Sequence, residues 1–542
     1  MSNANSDLLY RLEKLNAIGV ALSAERDTSR TLEAILEAAK SLTNADGGTL
    51  YRVTENNHLK FEIIRNDTLN IAMGGTTGVE ITFDPLPLYD AQGKPNNSMV
   101  AAYSVLHDAT INIEDAYTAD GFDFSGTCKF DQKTGYRSKS FLTVPMKNHE
   151  SEIIGVLQLI NAKHAETGEI IPFSHADQRL TESLASQAAI ALTNRILINQ
   201  LEELFESFIK LINIAIDEKS PYTGGHCGRV PVLTMLLAEA ACATQEGPLK
   251  NFDMTDKDRY ELKIAGLLHD CGKITTPVHV VDKSTKLHTL FDRIQLIDTR
   301  FEVLKRDAEI DLLRAKVRGL EQGNGKSVTA LEQACQQRIR QLDDDREFLR
   351  KSNIGGEFMS PENQERVDAI ARLTWVNEKG ESAAFLSDDE AMNLKIAKGT
   401  LTDDERQTIN YHIVATIKML ETLPWPKHLK RVPEYAGGHH ERMDGKGYPK
   451  GLVQEQMSMQ ARTMAIADIF EALTARDRPY KPGKTLTESL RILGFMKLDN
   501  HVDPDLFDAF IREKVYLKYA EQFLDPEQID EVDVTKIPGF AA

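Results

Sequence analysis

Cysteine is scarce in this chain of 542 residues, with five copies far apart in the sequence: Cys128, Cys227, Cys242, Cys271 and Cys335. An odd number of scattered cysteines does not make a disulfide scaffold and is typical of a reducing compartment. Apolar runs are short as well, and none reaches the roughly 20 residues of a membrane-spanning helix. Because residues 1–7 lack the basic and apolar regions of a signal peptide, we expect a cytoplasmic protein without a membrane segment.

Positive charge is in the minority, since 64 lysines and arginines against 82 acidic residues give a formal net charge of −18. This acidic excess argues against a general nucleic-acid-binding surface. A small anionic ligand would need local positive charge from metal ions and a few basic side chains. The length of the chain predicts about two to four domains rather than one core.

The most informative run is His-His-Glu-Arg-Met-Asp-Gly-Lys-Gly-Tyr-Pro at 439–449. Adjacent histidines followed by acids are candidate metal ligands. Gly447 is flexible and Pro449 lacks an N–H, so neither suits a helix interior or a central strand. We therefore expect a shaped loop directly after His439 and His440, where a substrate can approach. Because two glycines precede the histidines, we expect the pair to begin a helix.

A second run, Leu-Leu-His-Asp-Cys-Gly-Lys at 267–273, places His269 and Asp270 after apolar residues. This order predicts a helix that carries ligands, then a break at Gly272, then Lys273 as a cation placed for phosphate. Neighbouring residues on a helix point about 100° apart. His269 and Asp270 can therefore share only a wide site, such as a centre with two metal ions.

Together these runs resemble the HD-GYP family, a branch of the HD metal-dependent phosphohydrolases whose members hydrolyse cyclic di-GMP. The resemblance covers about 218–282 and 398–485. Further motifs match in order: Tyr-Thr-Gly-Gly-His at 222–226, a histidine at 412 after Leu-Thr at 401–402, Ala-Asp and Ala-Leu-Thr within 467–474, and Arg-Pro-Tyr-Lys at 478–481. The resemblance implies the metal ligands His226, His269, Asp270, His412, His439, His440 and Asp468.

Hydrolysis of a phosphodiester needs a nucleophile at neutral pH and relief of negative charge, and two metal ions about 3.5–4 Å apart supply both. The resemblance implies that Asp270 bridges the two ions. Imidazole and carboxylate favour iron or manganese, and the lack of thiolates argues against a structural zinc site. Some family members carry a glutamate four residues before the first histidine, which recruits a third metal. Because Tyr222 stands there in this chain, we predict a centre with two ions.

We expect His269, Asp270 and Lys273 to be the catalytic residues, with Lys273 holding the substrate phosphate as a point charge. Arg478 and Lys481 are candidate substrate contacts on the far side of the pocket. The segment 475–477 is one residue longer than the family pattern before Arg478. The alternative for Lys273 is an ordinary surface lysine. The alternative for Arg478 and Lys481 is that they are ordinary charged residues of a loop.

Residues 10–195 read as an α/β domain. We predict a helix at 32–42, a strand at 47–53 and an antiparallel hairpin from the apolar runs 140–146 and 152–161. The Gly-Tyr-Arg-Ser-Lys-Ser pattern at 135–140 and the Ile-Gly-Val-Leu-Gln-Leu-Ile-Asn run make this half resemble a GAF domain. The resemblance is a good indication of the fold of this half and a poor indication of its ligand.

Cyclic-nucleotide-binding GAF domains often carry an Asn-Lys…Phe-x-x-x-Asp-Glu signature. The chain has Asn161, Lys163, Phe173 and Asp177, but one extra residue separates Asn161 from Lys163, and Gln178 replaces the glutamate. A cyclic nucleotide, another small-molecule ligand and a purely dimerising role therefore all stay open.

A helix at about 196–215 is predicted to connect the two halves, because apolar residues step by four and three as in a coiled coil. The residues are Leu197, Leu201, Leu204, Phe208 and Leu211. We expect them to form the seam of a parallel homodimer. The alternative is one amphipathic helix that packs on its own domain.

A long insert at about 284–397 interrupts the carboxyl-terminal domain, which we place at 216–530. Its first part repeats the four-three spacing at Leu290, Ile294, Ile297, Phe301 and Leu304, and a Gly-Asn-Gly turn comes after it at 323–325. We predict a helical hairpin or coiled-coil arm. It could cover the site, pair with a second chain or dock a partner.

The sequence thus predicts a multidomain protein: an α/β GAF-like sensory domain, a connecting coiled-coil helix and an all-α HD-type domain with a helical insert. We expect a metal-dependent phosphodiesterase that hydrolyses cyclic di-GMP to pGpG, with GMP as a further product to be tested. Two alternatives stay open. The first is hydrolysis of another cyclic dinucleotide or a mononucleotide, and the second is a non-catalytic nucleotide receptor.

Overall fold

In a computed structural model of the chain, the described residues are 11, 13–22, 25, 27–219, 225–245, 247–321, 328–356, 358–377, 379–476 and 483–540. They divide into two compact units, an amino-terminal unit Met1–Phe205 and a carboxyl-terminal unit Glu206–Ala542. None of the described helices is both long and apolar enough to cross a lipid bilayer. The domain boundaries at 10–195, 196–215 and 216–530 stay predictions.

The amino-terminal unit is built around one antiparallel sheet. Its strands are β1 (Ala45–Val53), β2 (His58–Asn66), β3 (Ile71–Gly74), β4 (Leu86–Pro87), β5 (Ile111–Ile113), β6 (Phe141–Lys147), β7 (Ile153–Lys163) and β8 (Ile170–Ile171). The strand order is β3-β2-β1-β7-β6-β5, with β4 beside β2 and β8 beside β7. The predicted hairpin is confirmed as β6 and β7, in which Val144 lies opposite Leu157.

Helices cover this sheet because their apolar residues recur with the helical period. The helix Thr28–Thr43, which contains the predicted 32–42, buries Ile35 and Leu36 completely. The side chain of Asp27 accepts a hydrogen bond from Arg30 N and caps this helix. Its buried residues share one core with β1, β6, β7 and the first part of the helix His175–Lys219. Two further helices of the unit are Val100–His107 and Ser125–Thr134.

The residues of the partial cyclic-nucleotide signature have partners within the fold. The side chain of Asn161 accepts from and donates to the main chain of the loop before β6. Lys163 forms an ion pair with Asp46, which is only 1% exposed. Asp177 pairs with Arg11 at 2.9 Å. These contacts stabilise the fold, and they leave the question of a ligand open.

The helix His175–Lys219 is 45 residues long. All five residues of the predicted seam are exposed: Leu197 by 44%, Leu201 by 65%, Leu204 by 52%, Phe208 by 55% and Leu211 by 59%. Ile209, Asn213 and Ile216, on another face of its last turns, are buried. The seam is therefore not covered by the described residues of its own chain, and its role in a homodimer stays a prediction.

The predicted helical hairpin is confirmed in the insert as the helices Ile294–Glu321 and Val328–Ile354. The two helices are antiparallel. Asp298 pairs with Arg350 at 3.1 Å near the base of the hairpin, and Lys316 pairs with Glu332 at 2.6 Å toward its tip. The predicted repeat is wrong at Leu290, because this residue lies before the helix and is 91% exposed. The Gly-Asn-Gly turn lies outside the described residues.

The insert also contains elements that the sequence pattern did not indicate. They are the helices Pro361–Ala371 and Asp388–Leu394 and a two-stranded sheet of β9 (Thr374–Val376) and β10 (Ser382–Ala384). Phe301 and Phe385 are fully buried and have ring centroids 4.5 Å apart. The hairpin base and these small elements therefore share a hydrophobic core.

The rest of the carboxyl-terminal unit is helical. Its helices are His226–Ala243, Asp256–Leu268, Val278–Val281, Asp403–Glu421, Val432–Gly437, Met459–Thr474, Leu486–Leu498, Pro504–Arg512 and Val515–Phe523. Phe470 and Phe510 meet edge to face in the core, with ring centroids 5.0 Å apart. Thr255 and Thr402 begin two of the helices with capping boxes. This core fixes the helices that carry the predicted ligands.

Candidate metal centre

Five helices or their ends bring the seven predicted metal ligands together. His226 is the first residue of His226–Ala243, and His269 and Asp270 come directly after Asp256–Leu268. His412 lies inside Asp403–Glu421, and Asp468 lies inside Met459–Thr474. His439 and His440 come after Val432–Gly437. All but His440 are buried, so the centre lies inside the unit and His440 lies nearest its surface.

The ligand atoms form two clusters within which they lie no more than 4.8 Å apart: His226, His269, Asp270 and Asp468 in the first, and His412, His439 and His440 in the second. Asp270 lies between the clusters. Its Oδ2 is 3.1 Å from His226 Nε2, and its Oδ1 is 3.2 Å from His412 Nε2. This position suits a carboxylate that bridges two metal ions.

Hydrogen bonds to main-chain oxygens determine which ring nitrogen of the histidines faces the centre. His269 Nδ1 lies 2.7 Å from Gly266 O, and His439 Nδ1 lies 2.6 Å from Ala436 O. His412 Nδ1 makes the same contact with Ile409 O. Because a carbonyl oxygen only accepts, each Nδ1 carries a proton, and in the neutral imidazole each Nε2 then has a lone pair for a metal.

A carboxylate does the same for His226. Glu471 Oε2 lies 2.5 Å from His226 Nδ1, and Glu471 Oε1 accepts a 2.7 Å hydrogen bond from Arg229 Nε. The sequence argument missed Glu471, which is 1% exposed. Glu471 lies three residues after Asp468, and Arg229 lies three residues after His226. This spacing puts each pair on one face of its helix, and it was the signal that could have identified Glu471.

The absence of hydrogen-bond partners for several buried atoms of the centre, among the described residues, favours a bound metal ion. His412 Nε2, His439 Nε2 and Asp270 Oδ1 have no hydrogen-bond partner among the described residues. An unpaired buried polar atom costs about 1–3 kcal/mol, and a cation at the centre would remove that cost. Donor atoms about 2.1 Å from one ion lie about 3 Å or more from each other, and the separations around Asp270 are of that size. The residues present therefore fit divalent metal ions.

The two clusters differ in charge. Burial alone would lower the pKa of His269, but Asp270 and Asp468 raise it to about 9. Burial lowers the pKa of His440 to about 4 and that of His439 well below its usual value. The first cluster therefore has the negative field that favours a cation. In the second cluster, His439 and His440 offer neutral imidazoles, and Asp270 Oδ1 faces His412.

The ammonium of Lys273 lies 2.5 Å from Asp270 Oδ2, and its side chain is 21% exposed. Lys273 is thus part of the centre rather than a surface lysine. Two cysteines also neighbour the ligands, and burial raises the pKa of Cys227 to about 12 and that of Cys271 to about 11. Their thiols stay protonated at neutral pH and are poor metal ligands. Arg478 and Lys481, like Tyr222, lie outside the described residues.

A glycine lets two ligand-bearing elements meet. Gly272 lies in the 3₁₀ turn Cys271–Thr275 directly after Asp270, and its N–H donates to Thr416 Oγ1 at 2.9 Å. A Cβ atom at position 272 would lie 2.0 Å from His412 O. Only glycine therefore allows this approach, which brings Asp270 to the helix of His412.

The loop after the double histidine is folded back on it. The ring of Tyr448 stacks on His440 with centroids 4.9 Å apart. Glu441 is 1% exposed and accepts hydrogen bonds from Lys450 N at 2.7 Å and Leu452 N at 2.9 Å. The predicted shaped loop is confirmed, and the hydrogen bonds of Glu441 hold the two ends of that loop together.

The expectation that the double histidine begins a helix is wrong. The helix Val432–Gly437 ends just before it. Pro433 in the first turn favours an earlier helix start, so Gly437 and Gly438 come at the carboxyl end, where glycine is common. A Cβ at position 437 would lie 2.6 Å from the side chain of Ile417. Gly437 therefore allows close packing against the helix of His412, and Gly438, where a Cβ would lie 2.9 Å from the Cβ of Ala461, allows it against the helix Met459–Thr474.

Comparison with known protein families gives one match in each half of the chain. The GAF domain family model matches residues 27–192, and the HD domain family model matches residues 385–506. The HD match includes His412, His439, His440 and Asp468. The earlier ligands His226, His269 and Asp270 precede the insert and lie outside the match, although the fold brings them to the same centre.

Two curated relatives are similar to short stretches of this chain. A cyclic di-GMP phosphodiesterase of Pseudomonas aeruginosa is 40% identical over 114 residues, which are 21% of this chain and 26% of that protein. A 3'3'-cGAMP-specific phosphodiesterase of Vibrio cholerae is 42% identical over 81 residues, which are 15% of this chain and 19% of that protein. The chain thus spans less than a third of the length of either relative.

Among solved structures, the GAF domain of the Acinetobacter phosphoenolpyruvate-protein phosphotransferase aligns with 35% of this chain and 96% of that domain. The identity is 15% and the TM-score is 0.25. The antiparallel sheet, the helical ligand-bearing unit and the two family matches lead to one conclusion. The chain contains a GAF domain followed by an HD domain.

Proposed function

We propose that this chain is a metal-dependent phosphodiesterase that hydrolyses cyclic di-GMP to linear pGpG, with GMP as the product of any second cleavage. The observation that carries the proposal is Asp270, whose two oxygens face two separate clusters of candidate metal ligands. The similarity to a cyclic di-GMP phosphodiesterase of Pseudomonas aeruginosa supports the choice of substrate.

Each cluster would hold one divalent ion, iron or manganese, and Asp270 would contribute to both sites. Mixed imidazole and carboxylate donors suit these metals. Bound ions would supply neutralisation of the phosphate charge and a stronger water nucleophile. The remaining chemistry falls to side chains that hold, orient and contact the substrate.

The chain's own residues have distinct tasks in this reaction. The main chain and Glu471 hold the protons of the imidazoles on Nδ1, so the Nε2 atoms stay available. Lys273 lies next to Asp270 and would donate a hydrogen bond to a phosphate oxygen at the centre. We keep His269, Asp270 and Lys273 as the catalytic residues. Arg478 and Lys481 stay proposed substrate contacts.

One observation favours a second candidate substrate. The Vibrio cholerae relative acts on 3'3'-cGAMP and is 42% identical over its matched segment. We assign the residues described at the centre to binding metal ions and phosphate, and cyclic di-GMP and 3'3'-cGAMP both offer phosphodiester groups to them. A cyclic dinucleotide with one adenine is therefore the alternative to test beside cyclic di-GMP.

The test is a hydrolysis assay on the full chain loaded with Mn²⁺ or Fe²⁺. Cyclic di-GMP, 3'3'-cGAMP and cyclic GMP are offered separately, and products are separated by chromatography. We expect pGpG from cyclic di-GMP. The double variant His269→Ala/Asp270→Ala should lose both metal and hydrolysis while its circular dichroism stays helical. Turnover by this variant at the parent rate would show that the assigned centre is wrong.

For the amino-terminal unit we propose a sensory role. Its GAF domain would bind a small molecule and act on the HD domain through the helix His175–Lys219. The exposed seam at 197–211 supports a parallel homodimer of this helix. The scattered cysteines support a cytoplasmic location. Sedimentation of the purified chain tests the dimer.

A further inference from the structure

The last residue of the helix His175–Lys219 contacts the turn that comes after Asp270. Lys219 Nζ donates to Thr276 O at 2.6 Å, more closely to Ile274 O, and weakly to Lys273 O at 3.4 Å. A lysine ammonium has three N–H donors, and all three are directed to this one segment. The connecting helix is thereby fixed to the main chain beside the metal centre.

The same helical turn makes a second contact with a ligand-bearing segment. Asp217 Oδ2 accepts a hydrogen bond from Gly225 N at 3.2 Å, and Gly225 directly precedes His226. Ile216, the neighbour of Asp217, is 2% exposed. The end of the helix is therefore anchored in the carboxyl-terminal unit, and its polar side chains reach two of the three segments that deliver the first cluster, those of His226 and Asp270.

The contacts of Lys219 are suited to holding the turn in place. All of them go to main-chain oxygens, so they depend on the position of the turn and not on its side chains. The turn has little freedom on its other side, because Gly272 N is bound to Thr416 Oγ1. The turn is thus held from two sides, and loss of the Lys219 contacts would release one of them, next to Asp270 and Lys273.

We propose that Lys219 is a positioning residue, which holds the segment 271–276 so that Asp270 and Lys273 keep their places at the centre. The effect on hydrolysis rests on the proposed function. The effect on metal binding does not, since it requires only that the two clusters bind ions. Metal binding is therefore the primary readout.

The experiment compares Lys219→Met with the parent in the full chain. Lys210→Met is the matched control, because Lys210 lies on the same helix and its side chain is exposed. Mn²⁺ affinity is measured by titration calorimetry on metal-free protein, and kcat is measured with cyclic di-GMP. Loss of a group that orients metal ligands typically weakens affinity or activity by about 10–100-fold. We expect about a tenfold loss of both in Lys219→Met and no change in the control.

Two further variants separate positioning from general damage. Lys219→Arg keeps a charged donor and should recover most of the Mn²⁺ affinity. Lys219→Gln keeps an N–H donor without charge and replaces the methionine variant if that variant does not fold. Hydrogen exchange of the peptide containing 271–276 should be faster in the uncharged variants than in the parent.

Parent-like Mn²⁺ affinity in a folded, uncharged Lys219 variant would overturn the inference, and so would an equal loss in Lys210→Met. A different pattern would count against the proposed function alone. In that pattern the parent binds Mn²⁺, Lys219→Met binds it more weakly, and neither hydrolyses a cyclic dinucleotide.

Discussion

Asp270 Oδ1 lies 3.2 Å from His412 Nε2 although the whole insert separates the two residues in the sequence. The other oxygen of Asp270 lies 3.1 Å from His226 Nε2. One carboxylate thus faces both clusters, and this joins candidate ligands from before and after the insert in a single centre.

The centre should bind two metal ions per chain. Each cluster offers donors for one ion, and Tyr222 stands where a glutamate would recruit a third. Elemental analysis of fully loaded protein should approach two ions, against close to none in His269→Ala/Asp270→Ala. A reproducible value near three would contradict this prediction and direct attention to Asp217 and Glu218 as additional ligands.

Glu471→Gln should weaken metal binding by about tenfold, at the low end of the range for groups that orient metal ligands. The substitution removes the negative charge that holds the proton on His226 Nδ1 and that pairs with Arg229. Titration with Mn²⁺ measures the change. Glu455→Gln is the control, because Glu455 is exposed. Unchanged affinity in Glu471→Gln would mean that Glu471 only stabilises the fold.

Gly272→Ala should destabilise the carboxyl-terminal unit and reduce activity together. The added Cβ would lie 2.0 Å from His412 O, and overpacking of this kind typically costs about 1–3 kcal/mol. Gly228→Ala is the matched control, since a Cβ there meets nothing within 4 Å and alanine favours a helix more than glycine does. Thermal unfolding of both variants checks the difference. An equal Tm in Gly272→Ala and the parent would show that the turn can move away from His412.

Ordered motifs made the convergence of the candidate ligands predictable from the sequence. A chemically constrained centre needs particular residue types at fixed places along the chain, and the seven predicted side chains do converge in the fold. The β6–β7 hairpin was equally accessible, because two apolar runs of strand length flank a polar loop. Both predictions rest on patterns that are local in the sequence.

The misses share a physical cause, which is dependence on distant packing. Glu471 acts through His226, which is far from it in the sequence, and its spacing from Asp468 is the one local signal that points to the centre. Gly437 and Gly438 lie at the end of a helix and allow close packing against two other helices, which the local sequence does not show. The strands β9 and β10 are three residues each, too short for a periodic pattern.

The exposed seam of the connecting helix leads to a prediction about regulation. A coiled coil transmits a signal only while its seam stays in phase, and each added residue turns the distal part of the helix by about 100°. Four residues inserted after Gln200 would rotate the distal half, including Lys219, by about 40°, whereas seven residues nearly restore the phase. The seven-residue insertion should therefore preserve hydrolysis far better than the four-residue one, with both proteins confirmed as dimers by sedimentation. Equal activity in the two dimeric proteins would mean that the helix is only a tether and that the GAF and HD domains work independently.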